Sequence, residues 1–154
     1  MTMANESNNV INDLIHTCMD GQKGFEAAAK AVEDPTLRDE LVGYSWQRQQ
    51  FATELKSQLK AHGEEPSESG SMSGALHRGW MDIKSAFGAN DSHSVLAECE
   101  RGEDSAEEAY RKALGSGLAP DYTKMVESQF QTVQRTHDRI KALRDATGVE
   151  SQVH

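Results

Sequence analysis

Apolar residues recur at spacings of three and four along four long stretches of this chain, and that period leaves few folds open. One stripe runs through Ile11, Leu14, Cys18, Gln22, Phe25, Ala29 and Val32, with Gln22 its only polar member. A second takes in Leu37, Leu41, Tyr44, Phe51, Leu55 and Leu59. A third is Leu96, Cys99, Ala106, Tyr110 and Ala113, and a fourth is Val126, Phe130, Val133, His137, Ile140 and Leu143. Each traces one face of an amphipathic helix. A helix with one apolar stripe must bury it against others, so the pattern predicts an all-α bundle.

The breaks between stripes fix the layout. Residues 1–7 read as a frayed tail and the first helix spans about 8–32. Glu33-Asp34-Pro35 ends it and starts the next, because Asp34 can cap a helix and Pro35 suits a first turn. The second helix runs over 35–62, with Gly63 as terminator. A polar linker, EEPSESGSMS, leads to a short helix over 75–87 carrying Leu76, Trp80, Ile83 and Phe87 on one face. Asp91 or Ser92 caps the third helix, about 93–114. Gly115 to Leu118 is a turn, and Ala119-Pro120-Asp121 opens a fourth helix reaching about residue 145. Residues 147–154 fray. Helices of about 22 to 28 residues are roughly 33 to 42 Å long. Two short connections make two antiparallel hairpins, joined by a long crossover that contains the short helix. This is the ferritin-like four-helix layout, one domain over 8–146.

Composition narrows the function. The 154 residues are 36% apolar with a formal charge of -9. So acidic a chain lacks the clustered Lys and Arg that a nucleic-acid surface needs, and it disfavours an anionic membrane. No stretch approaches the roughly 20 apolar residues of a membrane span. The opening MTMANESNNV has no signal-peptide pattern, so a cytoplasmic location is expected. Cys18 and Cys99 fall on core stripes and read as reduced, buried thiols.

Four passages carry a resemblance: Asn12-Asp13-Leu14-Ile15 with Asp20-Gly21; Gly74-Ala75-Leu76-His77-Arg78; Glu100-Arg101-Gly102-Glu103-Asp104; and Thr136-His137-Asp138-Arg139-Ile140. Across most of 8–145 the chain resembles the DUF2383, or PA2169-like, family of bacterial proteins placed among ferritin-like four-helix bundles. The resemblance implies a ferritin-like fold and a capacity for metal, and it supplies no reaction.

Ferritin-like di-metal centres take one carboxylate from each of two helices and Glu-x-x-His from each of the other two. The i, i+3 spacing sets both ligands on one face. Within each half of such a bundle the first carboxylate precedes that glutamate by about 33 residues. Here Asp20 precedes Glu54 by 34, Glu100 precedes Gln134 by 34, and Gln134-x-x-His137 keeps the i, i+3 form. The candidate metal ligands are therefore Asp20, Glu54, Glu100, Gln134 and His137, with iron or manganese as the metal. Ser57 stands where a second imidazole belongs, and Gln134 lacks the carboxylate charge. The set is depleted, suited to one ion rather than a pair. Alternatively, His137 is a core histidine bonded to Glu100, Glu103 or Asp20.

The remaining features read more simply. His77-Arg78 packs the crossover onto the bundle, or binds an anion. Glu98, Asp104, Glu107 and Glu108 form a solvated acidic face. His16, His62, His93 and His154 are surface residues. Trp46 lies off its helix's stripe and is an interface candidate. Two functions follow. One is a non-catalytic structural or interaction bundle, homo-oligomeric through its helix faces. The other is a metal-binding protein with redox or stress-related activity.

Overall fold

The computed structural model describes the backbone of residues 3–66 and 91–153, with side chains over 6–66 and 91–147. The described residues form four helices: α1 (Met3–Ala31), α2 (Pro35–Ala61), α3 (Ser92–Leu114) and α4 (Pro120–Val153). The short helix expected over 75–87 lies outside the described residues.

Local chemistry sets the ends as the sequence anticipates. Asp34 caps α2 by accepting the Thr36 N–H at 3.0 Å. Asp91 caps α3 by accepting the His93 N–H at 3.1 Å. Gly63 and Gly117 take φ of 79° and 78° in the turns that close α2 and precede α4, a region that side chains with a Cβ resist. Two boundaries differ from expectation. Helix α1 begins at Met3 rather than near Asn8, and the far hairpin contacts it at Ser7 and Asn8. The Ala119 N–H donates to Ser7 Oγ, and Tyr122 Oη donates to Asn8 Oδ1 at 2.9 Å. Helix α4 continues past residue 145 to Val153.

Helix α1 packs against α2 and α3, and α3 also packs against α4, while α2 and α4 touch sparsely. The order around the bundle is therefore α1, α2, α4, α3, with α2 and α3 on a diagonal. The apolar core falls into two clusters. One gathers Leu14, Leu55, Leu59, Tyr110, Tyr122 and Val126 with their neighbours. The other gathers Phe25, Val32, Leu41, Val95, Leu96 and Ile140. Between them, at mid-height, sit buried polar residues: Asp20, Ser45, Arg48, Glu103 and Thr136.

Two glycines in mid-helix mark opposite demands. A Cβ on Gly21 would meet Arg48 Cγ at 3.3 Å, whereas a Cβ on Gly43 would meet nothing within 4 Å. Glycine is a poor helix former because it loses most backbone entropy on folding. Gly43→Ala is expected to raise stability by about 1 kcal/mol. Gly21→Ala is expected to withhold that gain, because the methyl presses on an arginine with no room to move. Urea titrations of the two variants beside the parent chain check the contrast.

Candidate functional site

Arg48 lies on the stripe of α2, four residues after Tyr44 and three before Phe51, and so points inward. Across the diagonal, Glu103 lies on the stripe of α3 between Cys99 and Ala106. Their side chains are 2% and 0% exposed. Arg48 Nη1 donates to Glu103 Oε1 at 2.5 Å, and Nη2 donates to Oε2 at 2.6 Å. This is the two-pronged geometry that a planar guanidinium offers a carboxylate. Arg48 Nε donates to Gln47 Oε1 at 3.2 Å, and that oxygen also accepts from Thr136 Oγ1 on α4. The guanidinium carbon stands 5.5 Å from the Phe25 ring centroid, within cation–π reach. Burial opposes the Arg48 charge, but the Glu103 carboxylate outweighs it and the pKa lies above the ordinary value.

A second polar chain crosses the bundle beside the first. Tyr110 Oη donates to Gln129 Oε1 at 2.7 Å. Its one proton is thus committed, so the 3.2 Å contact to Cys18 Sγ has the thiol as donor. Gln129 Nε2 in turn donates to Glu54 Oε1 at 3.0 Å and to the Phe51 carbonyl. Cys18, Tyr110, Gln129 and Glu54 come one from each helix, and their hydrogen bonds all run toward the Glu54 carboxylate. Burial, more than the opposing Tyr110 bond and Arg48 charge, pushes the Cys18 thiol up to about 11. Burial also raises Cys99. Both cysteines are free, buried and held as thiols, the unreactive form. Glu54 and Gln129 also border a groove of ≈ 430 Å³ between α2 and α4, walled by Phe51 and Met125.

A family model described as a domain of unknown function, DUF2383, matches residues 6–116, most of the chain, and takes in α1 to α3. The chain belongs to the DUF2383 family. No curated protein matches it. Of the mid-bundle groups, Cys18, Glu54, Arg48, Glu103 and Tyr110 fall within the DUF2383 match, whereas Gln129, Thr136 and His137 lie on α4 beyond it.

In this DUF2383 chain three of the five ligands anticipated from sequence, Glu54, Glu100 and His137, are bonded to other partners. Glu54 joins the Gln129 chain. Glu100 Oε2 accepts from Arg144 Nη1 at 2.7 Å. Asp20 is buried, and Gln134 is half-buried on the flank of α4. Among the described residues, no group of three or more His, Cys, Asp or Glu is arranged to hold a metal ion.

His137 sits at the edge of the α4 stripe rather than its centre. The buried positions are Tyr122, Val126, Gln129, Val133, Thr136 and Ile140, so the inward phase selects Thr136. His137 instead faces the flank of α3, where Nε2 meets Asp104 Oδ1 at 2.6 Å. Nδ1 lies 3.5 Å from Glu107 and 3.4 Å from Asp138. Its partner is thus none of Glu100, Glu103 or Asp20.

The anticipated acidic face is also more engaged than a solvated one. Glu98 and Glu107 are largely buried and pair with Arg101 and Arg111. Two histidines expected at the surface are packed. His16 is buried, and His93 Nδ1 contacts the Arg144 carbonyl at 3.1 Å.

Arg48, Gln129 and Thr136 were not legible as site residues from spacing alone. The available signal was the seven-residue gap between Tyr44 and Phe51, which Arg48 fills at helical phase.

Removing one member of the Arg48–Glu103 pair strands a buried charge. Arg48→Met or Glu103→Leu alone is expected to cost about 3 to 5 kcal/mol, and the double variant far less than the sum. Chemical denaturation of all four proteins closes that cycle.

Burial alone would lower the His137 pKa. The Asp104 and Asp138 bonds and the Glu107 charge outweigh it, so the pKa is raised. Folded His137 therefore holds its proton to higher pH than the unfolded chain does. The resulting stabilisation is complete below about pH 6.5 and is lost as pH rises through the raised value. The stability gap between parent and His137→Gln is expected to shrink as pH rises above about 6.5. Urea midpoints measured through that rise check it.

Proposed function

We propose that this chain is a ferritin-like bundle with a non-catalytic structural or interaction role, whose mid-bundle polar layer fixes how the four helices meet. The observation that carries this reading is the Arg48–Glu103 pair. A di-metal centre gathers several carboxylates around cations. Here a buried guanidinium supplies the positive charge, and both oxygens of the best-buried carboxylate are spent on it. Two of the three carboxylates in the anticipated ligand set are engaged as well, Glu100 by Arg144 and Glu54 by Gln129. Such a donor set does not fit a matched metal pair. The polar layer favours one register, because sliding any helix would leave a buried charge or hydroxyl unpaired.

No helix among the described residues is long and apolar enough to cross a membrane. The surface is acidic and the interior inert, which supports work done through faces rather than through a chemical centre. Elemental analysis of protein purified without chelator, then reloaded with ferrous iron, tests the reading. Sub-stoichiometric iron, manganese and zinc, unchanged in His137→Ala, is the expected result. One ion per chain that disappears in His137→Ala would overturn it in favour of metal binding through Asp20, Glu54, Glu100, Gln134 and His137.

A further inference from the structure

The outward pole of α2 differs from every other exposed helix face described. Gly43, Trp46, Gln50, Thr53 and Ser57 recur at spacings of three and four, all are exposed, and none is charged. The outward rows of the other helices are interrupted by charge: Lys23, Glu26 and Lys30 on α1, Asp104 and Glu108 on α3, and Lys124, Arg135 and Asp138 on α4, where Ser128 and Gln131 are also exposed. At the centre of this row stands Trp46, 69% exposed and the one large hydrophobic side chain left in solvent among the described residues. One turn earlier is Gly43, whose missing Cβ faces open space. No packing among the described residues requires a glycine there, yet glycine weakens the helix. A glycine beside an exposed tryptophan creates a shallow seat next to a bulky knob.

We infer that this face is where two copies of the chain associate, through an antiparallel α2–α2 contact about a two-fold axis. A two-fold contact must be self-complementary, and the pair Gly43 and Trp46 is. Setting Trp46 of one copy onto Gly43 of the second brings the reciprocal pair together by symmetry. The same register places Asp39 beside Gln50 of the second copy, so no like charges are opposed. Charge also selects the occupant. Each copy carries a formal -9, and two such chains repel. They can meet closely only where the surface is uncharged, and this row is that surface. A cationic partner would instead be drawn to the acidic faces. This contact deepens the reading of the chain as an interaction bundle by naming the partner as a second copy. A single helix pair is small for an interface, so the dimer is weak and dissociates in the micromolar range.

Sedimentation equilibrium of the full chain, taken to about 1 mM, reads the association directly. The expected result is a monomer–dimer equilibrium that tightens with added salt, because screening relieves repulsion and no intermolecular ion pair is lost. Trp46→Ala and Gly43→Glu are each expected to weaken it at least about tenfold. Gly43→Ala separates association from folding, since it stabilises the monomer yet fills the seat and loosens the dimer. A chain that stays monomeric throughout the range would overturn the proposal, whether other residues of the chain or nothing covers the face. So would a dimer indifferent to Trp46→Ala and Gly43→Glu. Neither outcome touches the metal content, so failure here leaves the metal-free reading to be judged on its own measurement.

Discussion

The Arg48–Glu103 pair is the constraint around which the rest of the bundle is arranged. A guanidinium and a carboxylate at 2% and 0% exposure are tolerable only if nearly every polar atom is met. The neighbours are fitted to that need. Gly21 leaves room for the arginine stem, Phe25 faces the cation, and Gln47 takes the remaining Nε–H. Because α2 and α3 are diagonal, the pair spans the bundle and divides the core into two apolar clusters. Each cluster could tolerate sliding by itself, since apolar contacts are not directional. The ion pair between them does not, because its two parallel bonds require both helices at one height.

The Cys18–Tyr110–Gln129–Glu54 chain extends the same logic to the other diagonal. It ties α1 and α4 into the layer, with each donor proton assigned to one acceptor. The two networks together use a residue from every helix. Buried hydrogen-bonded layers of this kind are costly when half-satisfied and rigid when complete. The chemistry they hold is correspondingly quiet, for the thiols stay protonated and the Glu103 charge is matched by Arg48. Of the ligands expected from sequence, Glu54, Glu100 and His137 have protein partners in Gln129, Arg144 and Asp104, while the buried Glu100 Oε1 accepts no hydrogen bond among the described residues.

The fold was well written in the sequence because helical period, caps and breakers act locally. Asp34, Pro35, Gly63 and Asp91 each do what local chemistry dictates, and the stripes of α1 to α3 are buried almost residue for residue. The site was less legible because it depends on phase and on which helices are diagonal. A stripe drawn through Phe130 and His137 differs from the true one through Gln129 and Thr136 by one position, and that offset moves His137 from the core to the flank. Glu100 and Glu103 are a turn apart, and spacing alone favours Glu100. The arginine that takes Glu103 instead lies 55 residues away in sequence. Pairing across a diagonal is a tertiary fact, and no local pattern encodes it.

Helix α2 shows how the inner and outer demands are linked. Arg48 and Trp46 are two residues apart, about 200° around the helix, and so occupy opposite poles. At this height the ordinary polarity of an amphipathic helix is reversed, with charge inside and the largest apolar side chain outside. The inward charge is explained by Glu103. Among the described residues, hydrophobic burial does not explain the outward tryptophan, nor does any contact explain Gly43. A helix whose midpoint is reversed on both faces meets the bundle interior on one, and on the other presents an indole beside a bare stretch of backbone, the face proposed above for a second copy.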